Sequence, residues 1–332
     1  MTQSDRMKAL VLDAPNAAFR VANLPRPSPG PGEVLVRIKG SGVNPLDTKI
    51  RAGAARHAKH SLPAILGIDL AGTVEALGPG VDGFRLGEAV YGMTGGVGGV
   101  PGSLAEYAAV DARLLAPKPA RLSMREAAAL PLIVITAWEG LVDRARVTSG
   151  QTVLVQAGAG GVGHVAVQIA RALGARVYAT HRGSHGAFIA SLGAEPIDTS
   201  HAEIGAIVQE HTAGRGFDIV FDTVGGAVLD ASFLAVKRFG HVVSALGWGQ
   251  HALAPLSFKS ASYSGVFTLL PSLTGEGRER HGEILREACH LADAGKLSPR
   301  LDPREFQLTT ASDAHDAVAS GTTEGKIIVS ID

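Results

Sequence analysis

Thr152-Val153-Leu154-Val155-Gln156-Ala157-Gly158-Ala159-Gly160-Gly161-Val162-Gly163 decides the fold. A short apolar run enters a glycine turn. Val162, Ala166, Ile169, Ala170 and Leu173 then recur at helical spacing until Gly174, and a second apolar run, Ala175–Thr180, follows. Strand, Gly-x-Gly-x-x-Gly turn, helix and strand in that order form the fingerprint of a dinucleotide site. Gly158 permits the tight turn, Gly160 lets the backbone approach a pyrophosphate, and Gly163 lets the helix pack against the strand. The start of the helix then offers unpaired N–H groups and partial positive charge to the phosphates.

The second strand ends in Thr180-His181-Arg182-Gly183-Ser184, with no acid to receive a ribose 2′-hydroxyl. Arg182 suits a 2′-phosphate, with His181 beside it and Thr180 and Ser184 as hydroxyl donors. The expected cofactor is therefore NADPH. A second glycine cluster, Gly95 to Gly99, has no strand feeding a helix and reads as a flexible loop.

Working outward, further apolar strands and helices alternate: Ala187–Leu192 (helix), Ile197, Phe217–Asp222 and His241–Leu246. This alternation predicts a doubly wound parallel sheet over residues 126–265. Residues 1–125 differ. Met7–Leu12, Glu33–Lys39, Ala71–Leu77 and Ala89–Tyr91 are short strand-like runs split by Gly and Pro, which predicts an antiparallel barrel-type domain. Residues 266–332 open with an amphipathic helix, Gly282–Gly295, and end in a strand near Lys326–Ser330. The crossings between domains are expected at Pro117–Arg121 and Thr268–Gly277.

Composition narrows the function. Lys plus Arg and Asp plus Glu are 31 each, so the net charge is zero, which argues against nucleic acid as a partner. A single cysteine, Cys289, excludes an internal disulfide and a Cys-rich zinc site. Glycine accounts for 42 of 332 residues, nearly twice the usual ~7%. The apolar stretch Ala127–Trp138 is too short for a bilayer, which takes about 20 residues. Met1–Arg6 is polar and has no signal core, so no membrane association and a cytoplasmic location are expected.

Gly42-Val43-Asn44-Pro45-Leu46-Asp47, Leu66-Gly67-Ile68-Asp69-Leu70-Ala71-Gly72, Gly102-Ser103-Leu104-Ala105-Glu106-Tyr107, Ala129-Leu130-Pro131, Phe221-Asp222-Thr223-Val224-Gly225-Gly226 and Gly325-Lys326-Ile327 join the glycine turn in a wider pattern. With them the chain resembles the medium-chain dehydrogenase/reductase superfamily, in its zinc-independent quinone oxidoreductase, or zeta-crystallin-like, group. The resemblance implies an α/β protein: a GroES-like antiparallel barrel-type catalytic domain built from both chain ends around a Rossmann domain, commonly a homodimer through the Rossmann sheet.

It also implies residue roles. Asn44 and Thr136 flank the nicotinamide, with Asn44 near the acceptor. Asp47 either orients the site or caps a helix Asp47–Ala52. Gly160, Gly161 and Val162 hold the pyrophosphate. Leu246, Gly247 and Phe267 line the nicotinamide pocket, and Lys326 reaches the cofactor. Where the family often has an adenosine-contacting tyrosine, Thr199 stands instead. No metal is expected: the zinc-ligand segment Gly-His-Glu of zinc-dependent members reads Gly67-Ile68-Asp69, and His57 and His60 read as a surface pair. A metal-free site suits acceptors that take hydride unaided, a quinone first and an enone or 2-alkenal second. Tyr91 and Tyr107 are weak candidates for a general acid, with hydroxyls at the rim of a pocket. A structural or RNA-binding role is the non-enzymatic alternative, and the neutral charge weighs against it.

Overall fold

The computed structural model describes residues 5–201 and 203–332, so Met1–Ser4, part of the polar start, lies outside it. The chain forms two compact units, one from Met1–Leu132 with Leu269–Asp332 and the other from Ile133–Thr268. The second division falls within the expected crossing and the first lies beyond Pro117–Arg121. The reason is the helix Met124–Ala128, which packs on the strands of the first unit. A Cβ at Gly40 would meet the Ala128 Cβ at 3.1 Å, and one at Gly42 would meet the Ala128 carbonyl at 2.3 Å.

The second unit is a six-stranded parallel sheet. Its strands are β1 (Thr152–Val155), β2 (Arg176–His181), β3 (Glu195–Asp198), β4 (Phe217–Asp222), β5 (Val236–Ser244) and β6 (Ser262–Gly265). Their order is β3-β2-β1-β4-β5-β6 and every pairing is parallel. The order reverses between β1 and β4, the switch point at which such sheets bind ligands. Helices α1 (Gly161–Ala172), α2 (Gly186–Ser191), α3 (Ile204–Thr212) and α4 (Ala227–Ala235) make the crossovers. Leu154, Tyr178, Phe217, Val220, Phe233 and Val242 form the core between sheet and helices.

Some of these elements have no clear sequence signal. The edge strand β6 is largely exposed and polar, so it shows no apolar alternation. β5 begins at Val236 rather than His241, and its first half carries the exposed Arg238 and Phe239, which hide the pattern. Helices α3 and α4 were not foreseen either.

The first unit is antiparallel almost throughout. Its larger sheet runs in the order Phe306–Gln307, Ile327–Ser330, Glu33–Val43, Asp69–Leu77, Ala89–Met93, Leu115–Pro117, with Tyr107–Asp111 also on Glu33–Val43. Only the first pair is parallel. A three-stranded sheet of Arg20–Pro25, Arg6–Leu12 and Ala64–Ile65 completes it. Val34, Val36, Ile38, Leu70, Val74 and Val90 form its core, as expected of alternation on a half-buried pleat. Strand Glu33–Val43 carries bulges near Leu35/Val36 and Ile38/Gly40, which add twist.

The Gly95–Gly99 loop is not the flexible segment expected. Its Gly96 N–H donates to Val100 and its Gly98 N–H to Ala58. A Cβ at Gly95 would stand 2.1 Å from the Pro101 carbonyl, so these glycines serve close packing.

Candidate functional site

In the second unit, β1 delivers the chain into a crook at the switch point. Gly158 N–H donates to the Thr180 carbonyl at 2.8 Å, and Gly160 N–H to the Ala157 carbonyl at 2.9 Å. A Cβ at Gly158 would stand 2.4 Å from that of Ala179, and one at Gly163 would stand 2.1 Å from the Ala157 carbonyl. Those two glycines are required by the fold. A Cβ at Gly160 would meet only the Ala157 carbonyl, at 3.2 Å. Packing therefore leaves that side of the crook open for a ligand. Helix α1 starts from Gly160 without a side-chain cap, so its first N–H groups remain for an anion or water. The crook fits a dinucleotide diphosphate.

Thr180 has a different place from the one expected. It is 4% exposed, its hydroxyl donates to Gln156 Oε1 at 2.8 Å, and it accepts the Ala157 N–H at 2.9 Å. Its hydrogen is spent bracing the crook and is not available to a ribose phosphate. Beyond it Arg182, Gly183 and Ser184 are exposed. Among the described residues Arg182 makes no ion pair, so its charge is uncommitted. His181 is partly buried, its Nδ1 without a hydrogen-bond partner. Asp198, opposite His181 in the sheet register, binds the Ser200 N–H at 2.9 Å. Thr199 donates twice to the His181 carbonyl, so it ties down the end of β2.

The ends of β4 and β5 are fastened by Asp222. Its buried carboxylate accepts from the N–H groups of Val224 and Gly225 and from the Ser244 hydroxyl at 2.6 Å. Ser244 in turn accepts the Leu246 N–H at 3.0 Å. Leu246 is half-buried and Gly247 exposed. A Cβ at Gly247 would stand 2.0 Å from the Tyr263 hydroxyl, so a larger residue there requires that partly exposed ring to shift. Phe267 meets Trp248 edge to face, centroids 5.9 Å apart. Next to Phe267 in sequence, Thr268 joins its hydroxyl to that of Thr136 at 3.0 Å and donates to Glu139. Neither Trp248 nor Thr268 carries a local pattern that marks it as part of the site.

The first unit contains a sealed polar cluster. Ile327 pairs with Val43, which sets Lys326 beside Asn44, and Asp69 pairs with Gly42. Lys326 Nζ donates to the Val43 carbonyl at 3.1 Å and to Asn44 Oδ1. Asn44 Nδ2 donates to Asp69 Oδ2 at 2.9 Å, and the Leu132 N–H binds Asp69 Oδ1 at 2.9 Å. Asn44, not Asp47, is the N-cap of the helix Pro45–Arg51. Asp47, at its third position, accepts the Asn44 N–H at 2.8 Å. Asp47 therefore braces the helix start from within the cluster without being the cap itself. Burial pushes its carboxyl up to about 7 and that of Asp69 to about 6, and it lowers the Lys326 ammonium. Asp69 was missed as a member of this group. It was named only within the stretch Leu66–Gly72 and the zinc-segment comparison, where an acid inside an apolar run was the signal of a buried role.

Neither tyrosine lies at a pocket rim as an acid. Tyr91 is fully buried and donates to the Leu285 carbonyl, and Tyr107 lies under the Arg26 guanidinium.

A catalytic zinc takes three Cys, His or carboxylate ligands. In the segment Gly67-Ile68-Asp69, Ile68 has no atom that can ligate a metal and Asp69 has both oxygens engaged. Among the described residues no group of three or more His, Cys, Asp or Glu is placed to hold a metal. The donor set does not fit zinc. Among the described residues, too, no helix is long and apolar enough to cross a membrane.

Comparison with known proteins agrees with the architecture. Residues 30–120 match the alcohol dehydrogenase GroES-like domain, and residues 192–329 match the family described as zinc-binding dehydrogenase. The chain is 33% identical to 2-methylene-furan-3-one reductase of Solanum lycopersicum, over 90% of this chain and 71% of that protein. It is 31% identical to the chloroplastic NADPH-dependent alkenal/one oxidoreductase of Arabidopsis thaliana, over 90% and 72%. Another relative, the polyketide synthase system protein NorB of Streptomyces orinoci, is matched over only 13% of its length. Among solved structures, an alcohol dehydrogenase superfamily protein from Novosphingobium aromaticivorans superposes with a TM-score of 0.97 at 61% identity, covering 98% of this chain and 100% of that one. The quinone oxidoreductase of Coxiella burnetii gives 0.81 at 29% identity, covering 98% and 100%. The chain belongs to the medium-chain dehydrogenase/reductase superfamily of nicotinamide-dinucleotide-binding oxidoreductases, in its zeta-crystallin-like group.

Proposed function

We infer that this oxidoreductase uses NADPH, without zinc, to reduce a quinone or the conjugated double bond of an enone or 2-alkenal. The observation that carries the reading is the uncapped crook at Gly160 on the same sheet as the uncommitted Arg182. When bound, NADPH would supply the hydride. Gly158 and Gly163 shape the crook, while the N–H groups of Gly160, Gly161 and Val162 receive the diphosphate. Arg182 and Ser184 receive the 2′-phosphate, with His181 alongside. Leu246, Gly247, Phe267 and Thr136 wall the nicotinamide end. Asn44 lies near the acceptor, and Lys326 and Asp47 act through Asn44 by fixing it.

A quinone or enone needs no Lewis acid because the negative charge delocalises onto its oxygen as hydride arrives. The protein contributes orientation and an apolar surrounding. The names of the plant relatives support the enone member, and that of the Coxiella structure the quinone. The balanced charge supports a small-molecule substrate over RNA. A homodimer through the Rossmann sheet goes with this reading on the family resemblance, and a cytoplasmic location goes with it on the single cysteine, which suits a reducing compartment. Light scattering checks the first. The test of function is NADPH oxidation followed optically against simple quinones and straight-chain enones, with and without a chelator. Turnover of at least one class, unaffected by the chelator, is expected. No turnover of either, or alcohol oxidation that depends on added zinc, sinks the reading.

A further inference from the structure

The cluster around Asn44 holds two carboxylates against one ammonium. Asn44 and Asp47 are each 1% exposed and Asp69 is 0% exposed. With all three groups ionised, the cluster carries a net negative charge away from water. Its hydrogen bonds are unevenly shared. Asp69 accepts on both oxygens, whereas Asp47 accepts only on Oδ2 and its Oδ1 is buried with no partner. An anionic oxygen left so is far costlier than a neutral carboxyl. Lys326 cannot relieve it directly, because its hydrogen bonds go to Val43 and Asn44.

We propose that Asp47 and Asp69 share one exchangeable proton beneath Asn44, held on Oδ1 of Asp47, and that its loss slows reduction of the acceptor. The second half rests on the reading that Asn44 faces the acceptor. With the proton in place the cluster is neutral. Without it, an added negative charge in a low-dielectric interior opposes the charge that builds on the acceptor oxygen. Asn44 is the link. Its Oδ1 faces Lys326, one Nδ2–H faces Asp69 and its backbone N–H donates to Asp47, so its orientation is fixed and a charge on Asp47 bears on it directly. Asp47, Asp69 and Lys326 are thus positioning residues.

The charges that bear on Asp47 are Asp69, which favours its protonated form, and Lys326, which opposes it; burial outweighs both. Other charged groups on the surrounding elements are engaged elsewhere. Arg51 pairs with Asp316, Lys49 is exposed, and His315 packs against Phe19. Arg125 pairs with Glu305, and Glu126 binds Ser123.

The test begins with an infrared titration of the cofactor-free full chain between about pH 5 and 8. A protonated-carboxyl band should disappear within that range. The part of the band lost last, toward the upper end of that range, should be absent from Asp47→Asn, leaving the part that Asp69 loses at lower pH. In Asp69→Asn the upper part should move to lower pH, since a repelling charge is gone, and in Lys326→Gln to higher pH, since an attracting one is gone. A merely structural role gives no such opposite shifts. In the wild type, kcat for acceptor reduction should fall about tenfold over the same range with KM little changed, and the fall should vanish in Asp47→Asn. No titrating band in the wild type overturns the shared proton without recourse to any variant. A titrating band with a flat kcat overturns its effect on reduction. A chain that turns over neither quinones nor enones overturns the functional reading and that effect together, and the infrared result still decides the shared proton.

Discussion

The glycine crook of the second unit and the polar cluster of the first both set out hydrogen-bond donors, but they draw on different parts of the chain. The crook uses backbone N–H groups within one turn, stripped of side chains where the fold or a ligand needs room. The cluster uses charged side chains that meet across strands, 25 and 282 residues apart, and seals them from water. The first arrangement costs little to build and tolerates no added bulk. The second is costly to build, and each member depends on the others. A difference in tolerance follows from that contrast, and each experiment below can break it.

The largest effect is expected at Lys326. Lys326→Met leaves Asn44 Oδ1 without its donor and two buried carboxylates without a cation, at a cost of about 3–5 kcal/mol. Urea unfolding reads this directly. A loss under about 1 kcal/mol would mean that the cluster is not a mutually dependent unit.

Within the crook, Gly163 and Gly160 should behave oppositely. Gly163→Ala drives a Cβ to 2.1 Å from a backbone carbonyl that cannot move aside, for about 1–3 kcal/mol of stability. Gly160→Ala should cost less than about 1 kcal/mol, because only one atom lies near. Equal losses in thermal unfolding would erase the distinction between fold-required and ligand-required glycine.

Asp47 gives a pH signature. Burial raises its carboxyl from 3.8 to about 7, so within that window the folded chain binds a proton that the unfolded chain has released. Stability from this group is complete at low pH and is lost as pH rises through the window. Asp47→Asn removes the loss. The variant should therefore gain roughly 1–2 kcal/mol on the wild type between pH about 5 and 8. A gain that is the same at both pH values would contradict burial as the cause.

Arg182→Ala should leave stability unchanged, raising KM for NADPH about tenfold and leaving KM for NADH nearly unchanged, which steady-state kinetics with both cofactors would show. Equal changes for the two would remove Arg182 from 2′-phosphate recognition.

The same contrast explains what could be read in advance. The crook was legible because the glycines that shape it lie together between Val155 and Gly163, and the helical spacing follows at once. Thr180 was misjudged because its partners, Gln156 and Ala157, lie in the turn that follows a different strand, 24 and 23 residues away. In the cluster, Asn44, Asp47 and Lys326 were named singly, but their meeting is set by the pairing of Ile327 with Val43 and of Asp69 with Gly42. Register of that kind is a tertiary property, with no local pattern to announce it. The edge strand Ser262–Gly265 and the Trp248–Phe267 pair were missed for a related reason, being polar or isolated in sequence and defined only by their neighbours.

The central claim is that the crook at Gly160 grips a nicotinamide dinucleotide, and calorimetric titration with NADPH tests it most directly. The account expects one site per chain in the wild type, weakened about a hundredfold in Gly160→Val while thermal unfolding shows the variant still folded. No NADPH binding by the folded wild type, or equal binding by the variant, would contradict it.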